Sequence, residues 1–257
     1  MTARTTRTVL RLLLLCAVCA GALQLYFITR IALMRVLDPQ STTFQRSEAW
    51  RLALGERPLR WQQRWADYDA IATSLKRAVI ASEDAGFAEH SGVEWDALER
   101  AWERNQRAEA AADRRADRDQ RQGKGAAAVS DRATAKIVGG STISQQLAKN
   151  LFLASERSFL RKGQELALTY AMEVLLGKQR ILEIYLNSVE WGEGVFGAEA
   201  AAERYFRVHA SALNASQAAR LAVMLPAPKR FEKRPGSPYV SARAATIVAR
   251  MSAVELP

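Results

Sequence analysis

Residues 158–187 read SFLRKGQELALTYAMEVLLGKQRILEIYLN, and the spacing of their apolar side chains sets the fold class. Ser158 suits a helix cap, because its hydroxyl can accept one of the amide protons that a helix start leaves unpaired. The run FLRKGQELALTYAMEVLL then keeps helical periodicity until Gly177 ends it. QRILEIYLN predicts a second, shorter helix whose Ile181, Leu182, Ile184, Tyr185 and Leu186 pack a core. Working outward, Ala198 to Phe206 and Ser216 to Leu225 read as two more helices, the last stopped by Pro226 and Pro228. Strand-like alternation is scarce, so the chain is expected to be mainly α.

The 257 residues, 49% hydrophobic, suit one globular domain plus a short appendage. A net charge of +10 favours an anionic partner: nucleic acid, acidic headgroups or a phosphorylated substrate. The basic residues follow no nucleic-acid reader motif. The appendage is N-terminal. Residues 12–28 read LLLLCAVCAGALQLYFI, with Gln24 the only strongly polar side chain, and Thr29, Ile31, Ala32 and Leu33 extend the run. That length predicts a transmembrane anchor over 12–33. Arg4, Arg7 and Arg11 precede the 12–28 run, which favours a cytoplasmic 1–11 and a 44–257 domain outside, although Arg30 and Arg35 after that run weaken the asymmetry. Ala20-Gly21-Ala22 is a rival signal-peptidase site, but the chain stays apolar from Leu23 to Ile28, which suits an anchor better. Cys16 and Cys19 lie inside this stretch with no second ligand pair, and read as small apolar residues facing lipid. Leu15 and Val18 directly before them argue against a lipoprotein site.

Two further segments stand out. Residues 44–65 mix Phe44, Trp50, Trp61 and Trp65 with five arginines, which fits either a membrane-interface segment or a first helix burying its tryptophans. Residues 104–137 are rich in Arg, Ala, Asp and Gln and poor in large apolar residues, and read as a mobile insert after a helix around Trp102.

Three clusters carry chemistry. In SEDAGFAEH, 82–90, two adjacent carboxylates follow an apolar run. Successive helical positions diverge by about 100°, so one of Glu83 and Asp84 can face a cleft while the other is tied into structure. In GGSTISQQLAKN, 139–150, two glycines free the backbone, hydroxyls and amides supply hydrogen bonds, and Gln145 and Lys149 fall four apart on one helical face. The spacing is not that of a P-loop. In RSFLRKGQE, 157–165, Arg161 and Glu165 can pair along a helix within a cationic patch.

EDAGFAEHSG, GGSTISQQLAKNLFL, RKGQE, KQRILEIYLN and GVFGAEAAAERYF occur in this order, and together closely resemble the five motifs of the family 51 glycosyltransferases. The resemblance runs from about residue 71 to 232, broken by the 104–137 insert. It implies a mainly α, lysozyme-like glycosyltransferase domain behind one N-terminal transmembrane helix. With no S-x-x-K or K-T-G sequence in a following domain, the monofunctional members without transpeptidase activity are the expected match. The implied reaction is polymerisation of lipid II: its GlcNAc 4-hydroxyl attacks the anomeric carbon of a polyprenyl-diphosphate-linked glycan chain, with inversion. The resemblance assigns the general base to Glu83 and the second key carboxylate to Glu165. It assigns leaving-group cations to Lys149 and Arg157, a place in the same patch to Arg161, and donor-side contacts to Ser141, Gln145 and Gln146. It leaves open whether Glu165 holds those cations or helps bind a divalent metal, Mg or Mn, at the diphosphate.

Further expectations follow. Cations beside Glu83 would depress its pKa, so it should sit apart from them, across the cleft. Asp84, Phe87 and His90 match the first motif with mainly structural duties. Glu94 stands where the family often has Asp, and Gln164 where some members carry Lys, which removes one cation from the donor site. Implied partners are lipid II, the glycan chain, membrane lipids and cell-wall synthesis or division proteins, with no nucleic acid, at the bacterial inner membrane. A lytic enzyme of similar fold and an inactive scaffold are the rival readings. The first lacks need of a pyrophosphate site, and the second is at odds with both glutamates being present.

Overall fold

The computed structural model describes residues 3–55, 60–96 and 140–257 except 155 and 157, with isolated positions 99, 103, 104, 106, 107 and 111 between. It divides into a main unit, Met1–Gly92 with Ile143–Pro257, and a second unit, Val93–Thr142. In the second unit Glu103 and Arg107 form an exposed ion pair one helical turn apart. Most of the expected insert lies outside the described residues.

The main unit opens with helix α1, Ala3–Leu33. Arg7–Leu33 is long and apolar enough to cross a membrane, with mean hydropathy 2.2. Residues 7–23 are exposed all round, including Cys16 and Cys19, whereas the last third of the helix is docked. Its inward stripe is Gln24, Phe27, Arg30 and Ile31, continued by Met34 just past the helix. Phe27 meets Phe152 edge-on at 5.4 Å, and Ile31 (0% exposed) and Met34 (4%) join the domain core. Burying such a side chain stabilises by about 1.5–3 kcal/mol. The anchor is therefore partly a core element.

Helix α2, Thr43–Ala53, starts on a capping box in which Thr42 and Gln45 satisfy each other's amides. Strand β1 (Gln62–Gln63) and a 3-10 turn (Tyr68–Ala70) lead to α3, Thr73–Glu83, with Leu75, Ala78, Val79 and Ile80 buried. Helices α4 (Ile143–Phe152), α5 (Phe159–Leu176) and α6 (Lys178–Ser188) follow. Ser158 caps α5 as expected, accepting from the Arg161 amide at 3.1 Å, and Gly177 separates α5 from α6. Strands β2 (Glu190–Gly192) and β3 (Val195–Phe196) complete a small sheet in the order β1-β3-β2. β3 runs parallel to β1 and antiparallel to β2, with a bulge between Glu190 and Gly192. Gly194, at φ +71°, makes the turn, and a Cβ there would collide with the Arg60 carbonyl.

Helix α7 spans Ala198–Phe206, α8 Ala215–Met224, α9 Pro228–Phe231 and α10 Pro238–Met251. Helix α8 starts one residue before the sequence reading, because Asn214 rather than a serine makes the capping box, with Gln217. The chain is mainly α, as its periodicity indicates. The 44–65 segment is not one element: Trp50 is 69% exposed on α2, whereas Trp61 stacks near Phe196 at 4.6 Å and Trp65 packs against the core.

Candidate active site

Helix α3 ends in the two carboxylates, and they part ways. Asp84 is buried, closes the helix with its amide on the Ile80 carbonyl, and leaves helical geometry. One of its oxygens accepts the Ile143 amide at 2.9 Å, capping α4, and the other lies 2.8 Å from His90 Nε2. His90 Nδ1 accepts the Gly92 amide at 3.0 Å, which fixes the ring proton on Nε2, facing Asp84. Gly92 sits at φ +89°, and a Cβ there would lie 2.7 Å from Thr169 Cγ2, so this turn against α5 is open only to glycine. Phe87 is fully buried, with the Lys178 ammonium 4.5 Å above its ring. Asp84 thus ties α3 to α4, His90 orients it, and Phe87 packs beneath Lys178 of α6, contacts that suit structural duties.

Glu83 remains half-buried. Its Oε2 accepts the Gln146 amide at 3.2 Å, and Gln146 Oε1 in turn accepts the Tyr185 hydroxyl at 3.0 Å. That second bond sets which end of the amide faces Glu83. Burial pushes the Glu83 carboxyl above its ordinary value. Its hydrogen bonds to Gln146 and Ser82 oppose the shift, the Asp84 charge adds to it, and Arg243 on α10 opposes it. The leading charges bearing on Glu83 are those of Asp84 and Arg243. Tyr185 is buried, and burial, then Glu83 and Asp84, hold its hydroxyl in the neutral donor form.

The cationic patch forms on α5. Glu165 is 3% exposed and receives Arg161 Nη1 at 2.9 Å and Lys162 Nζ on its other oxygen. Arg161 Nε is buried without a partner among the described residues. Lys149, on α4, sits in the field of this cluster. Desolvation pulls its pKa down, Glu165 opposes, and Arg161 and Lys162 add to the fall. Its side chain is exposed, so water screens much of that effect. A metal on Glu165 would have to share its oxygens with two cations, which like-charge repulsion disfavours. The residues present do not fit a metal held there.

Helix α4 therefore joins two poles: Gln146 meets Glu83 and, one turn on, Lys149 meets the α5 cluster. Gln145, one turn before Lys149 on α4, is buried at 4% exposure. Gln146, expected on the donor side, donates its amide to Glu83. Ser141 falls in the second unit, and Arg157 lies outside the described residues. Gln164 does not join the cation cluster: its amide pairs with Gln24 of α1 at 2.8 and 3.0 Å. Tyr185 and Arg243 were missed. Tyr185 sits in an apolar repeat that reads as core, and nothing in the local sequence ties Arg243 to Glu83.

The described residues combine a mainly helical domain, a desolvated carboxylate, a patch of cations and one apolar N-terminal helix long enough to cross a membrane. The chain belongs to the transglycosylase family, whose family model matches residues 53–114 and 120–252. It is 52% identical over 237 residues to the biosynthetic peptidoglycan transglycosylase of Burkholderia pseudomallei (strain K96243), covering 92% of this chain and 82% of that protein. It is 50% identical over 237 residues to the protein of the same name from Paraburkholderia xenovorans (strain LB400), covering 92% and 88%. The Burkholderia ambifaria (strain MC40-6) protein of that name is 49% identical over 237 residues, covering 92% and 86%.

Proposed function

We propose that the chain is a peptidoglycan glycosyltransferase that polymerises lipid II into linear glycan, held at the bacterial inner membrane by residues 12–33, with 1–11 cytoplasmic and the 44–257 domain outside. The observation that supports the mechanism is that α4 presents Gln146 to Glu83 and, one turn on, Lys149 to the field of the α5 cluster. An inverting displacement needs a base at the incoming hydroxyl and positive charge at the leaving group, and these must not neutralise each other.

Glu83, raised by burial, takes the proton of the acceptor GlcNAc 4-hydroxyl as its oxygen bonds to the donor anomeric carbon. Gln146 aims the carboxylate. The bond from the anomeric carbon to the diphosphate breaks on the opposite face, and the diphosphate leaves on its polyprenyl lipid. Lys149 and Arg161 stabilise its developing charge, and Arg157 and Ser141 are the further donor-side residues that the motif resemblance implies. Arginine grips phosphate oxygens in a fork, whereas lysine acts as a point charge. Glu165 binds Arg161 and Lys162 and so holds the cations in place.

The test is lipid II polymerisation by full-length protein in vesicles beside Glu83→Gln. Glycan from the parent and a loss of about 10²–10⁴-fold in the folded variant is the expected result. Cleavage of finished glycan instead of polymer growth would replace this reading with the lytic one, and an inert, folded parent would favour the scaffold.

A further inference from the structure

Gln24 is the only strongly polar side chain between residues 12 and 28, and it lies nine residues before the end of α1, about 14 Å along the helix axis. On a largely apolar, docked helix face an unpaired primary amide is disfavoured. That of Gln24 is paired on both sides. Gln24 Nε2 donates to Gln164 Oε1 at 2.8 Å, and Gln164 Nε2 donates back to Gln24 Oε1 at 3.0 Å. The other side-chain contacts of the docked stripe are mainly apolar or aromatic, from Phe27 on Phe152 down to Ile31 and Met34, and its polar contacts at the far end, Arg30 Nη2 to the Ser41 carbonyl at 3.4 Å and Arg180 Nε to the Met34 carbonyl at 2.8 Å, are each made to a single backbone oxygen. Apolar contacts tolerate a slip or a small rotation. A closed two-bond amide pair does not, and a polar pair between side chains in a largely apolar interface commonly fixes register. Gln164 directly precedes Glu165 and lies one helical turn beyond Arg161.

We propose that Gln24 is a positioning residue for glycosyl transfer: its reciprocal amide pair with Gln164 fixes the rotation and depth of α5 against the anchor, and so sets the height of the Arg161–Lys162–Glu165 cluster relative to the lipid-borne diphosphate. This rests on the polymerase reading for its consequence, though the amide pair itself does not. It also gives Gln164 a purpose that a missing donor-site cation does not supply.

Gln24→Leu, Gln164→Leu, the double leucine variant, and a charge-pair variant carrying Gln24→Glu with Gln164→Lys are compared as full-length proteins in phosphatidylethanolamine–phosphatidylglycerol vesicles. Depth is read independently of activity. Cys16 and Cys19 face outward and can both become alanine, leaving Phe159→Cys, at the fully exposed start of α5, as the single site for an environment-sensitive fluorophore quenched by lipid-borne spin labels. Each single leucine variant is expected to shift the quenching depth and to raise KM for vesicle-borne lipid II by about five- to thirty-fold, the effect of losing one or two kcal/mol of coupling, with a smaller change in kcat. The double leucine variant should be no worse than either single one, and the charge-pair variant should restore depth and KM together. Unchanged depth in the single variants, or effects that add in the double, would overturn the proposal. A parent that makes no polymer while the label still shifts in the variants would overturn the polymerase reading and leave the amide lock in place.

Discussion

Glu83 and Asp84 are one residue apart, yet one is half-exposed and the other buried and bonded twice. This division was legible in the sequence, because adjacent helical positions cannot share a face. Which carboxylate would be tied down was not, since its partners lie beyond the helix. Asp84→Ala strands the Ile143 amide and the His90 ring proton, and should lower stability by about 2–4 kcal/mol in denaturant unfolding. Activity should fall with it, because α4 carries both Gln146 and Lys149. Gln146→Leu tests the other carboxylate. It removes a hydrogen bond that holds the Glu83 pKa down, so that pKa rises and the acidic limb of the kcat/KM profile moves to higher pH. An unmoved limb would mean that Glu83 is not the group titrating there. Tyr185, 39 residues from Gln146, was hidden because a tyrosine inside an apolar repeat looks like any core residue.

At the scale of elements, helices announced themselves through their ends. Ser158, Gly177 and the prolines after α8 mark boundaries by local chemistry, so α5 and α7 are found where their sequences place them. The small sheet left no trace, since strands of two or three residues are too short for alternation to register. Its β2 strand nevertheless holds a group with a measurable signature. Glu190 is buried with one oxygen unpartnered among the described residues, and Lys229 of α9 is 3.6 Å from the other. Burial raises its pKa from 4.5 to about 7; Lys229 opposes and Glu48 of α2 adds to the rise. A carboxyl raised on folding binds more protons in the native state between those two values, so stability falls as pH rises from about 4.5 through 7. The shift corresponds to roughly 3 kcal/mol. Glu190→Gln should flatten that fall and leave the variant more stable than the parent at pH about 8, read by thermal unfolding across the range.

For the molecule as a whole, the apolar span was plain in the sequence, but its docking was not, because lipid-facing and core-facing side chains are chemically alike. Only Gln24 broke the pattern, and its partner lies 140 residues away. The docking changes how anchoring must be tested. Removing residues 1–35 would also take Ile31 and Met34 from the core, together with the Met34 carbonyl that accepts from Arg180 at 2.8 Å. That truncation should lose about 3–6 kcal/mol of burial as well as its tether. Of the residues whose burial is described, removing 1–20 takes away only exposed ones, 7–20. It should preserve the unfolding midpoint while lowering turnover of vesicle-borne lipid II, through the loss of effective concentration. Equal turnover by the shortened protein would refute the tethering role. The interleaving of anchor and core also bears on what happens after damage. A protease that clipped the chain beyond Met34 would shed a fragment with a gap in its interior rather than a free-running enzyme. Such a fragment would be less stable than the intact chain by the burial it has lost, and so more readily degraded.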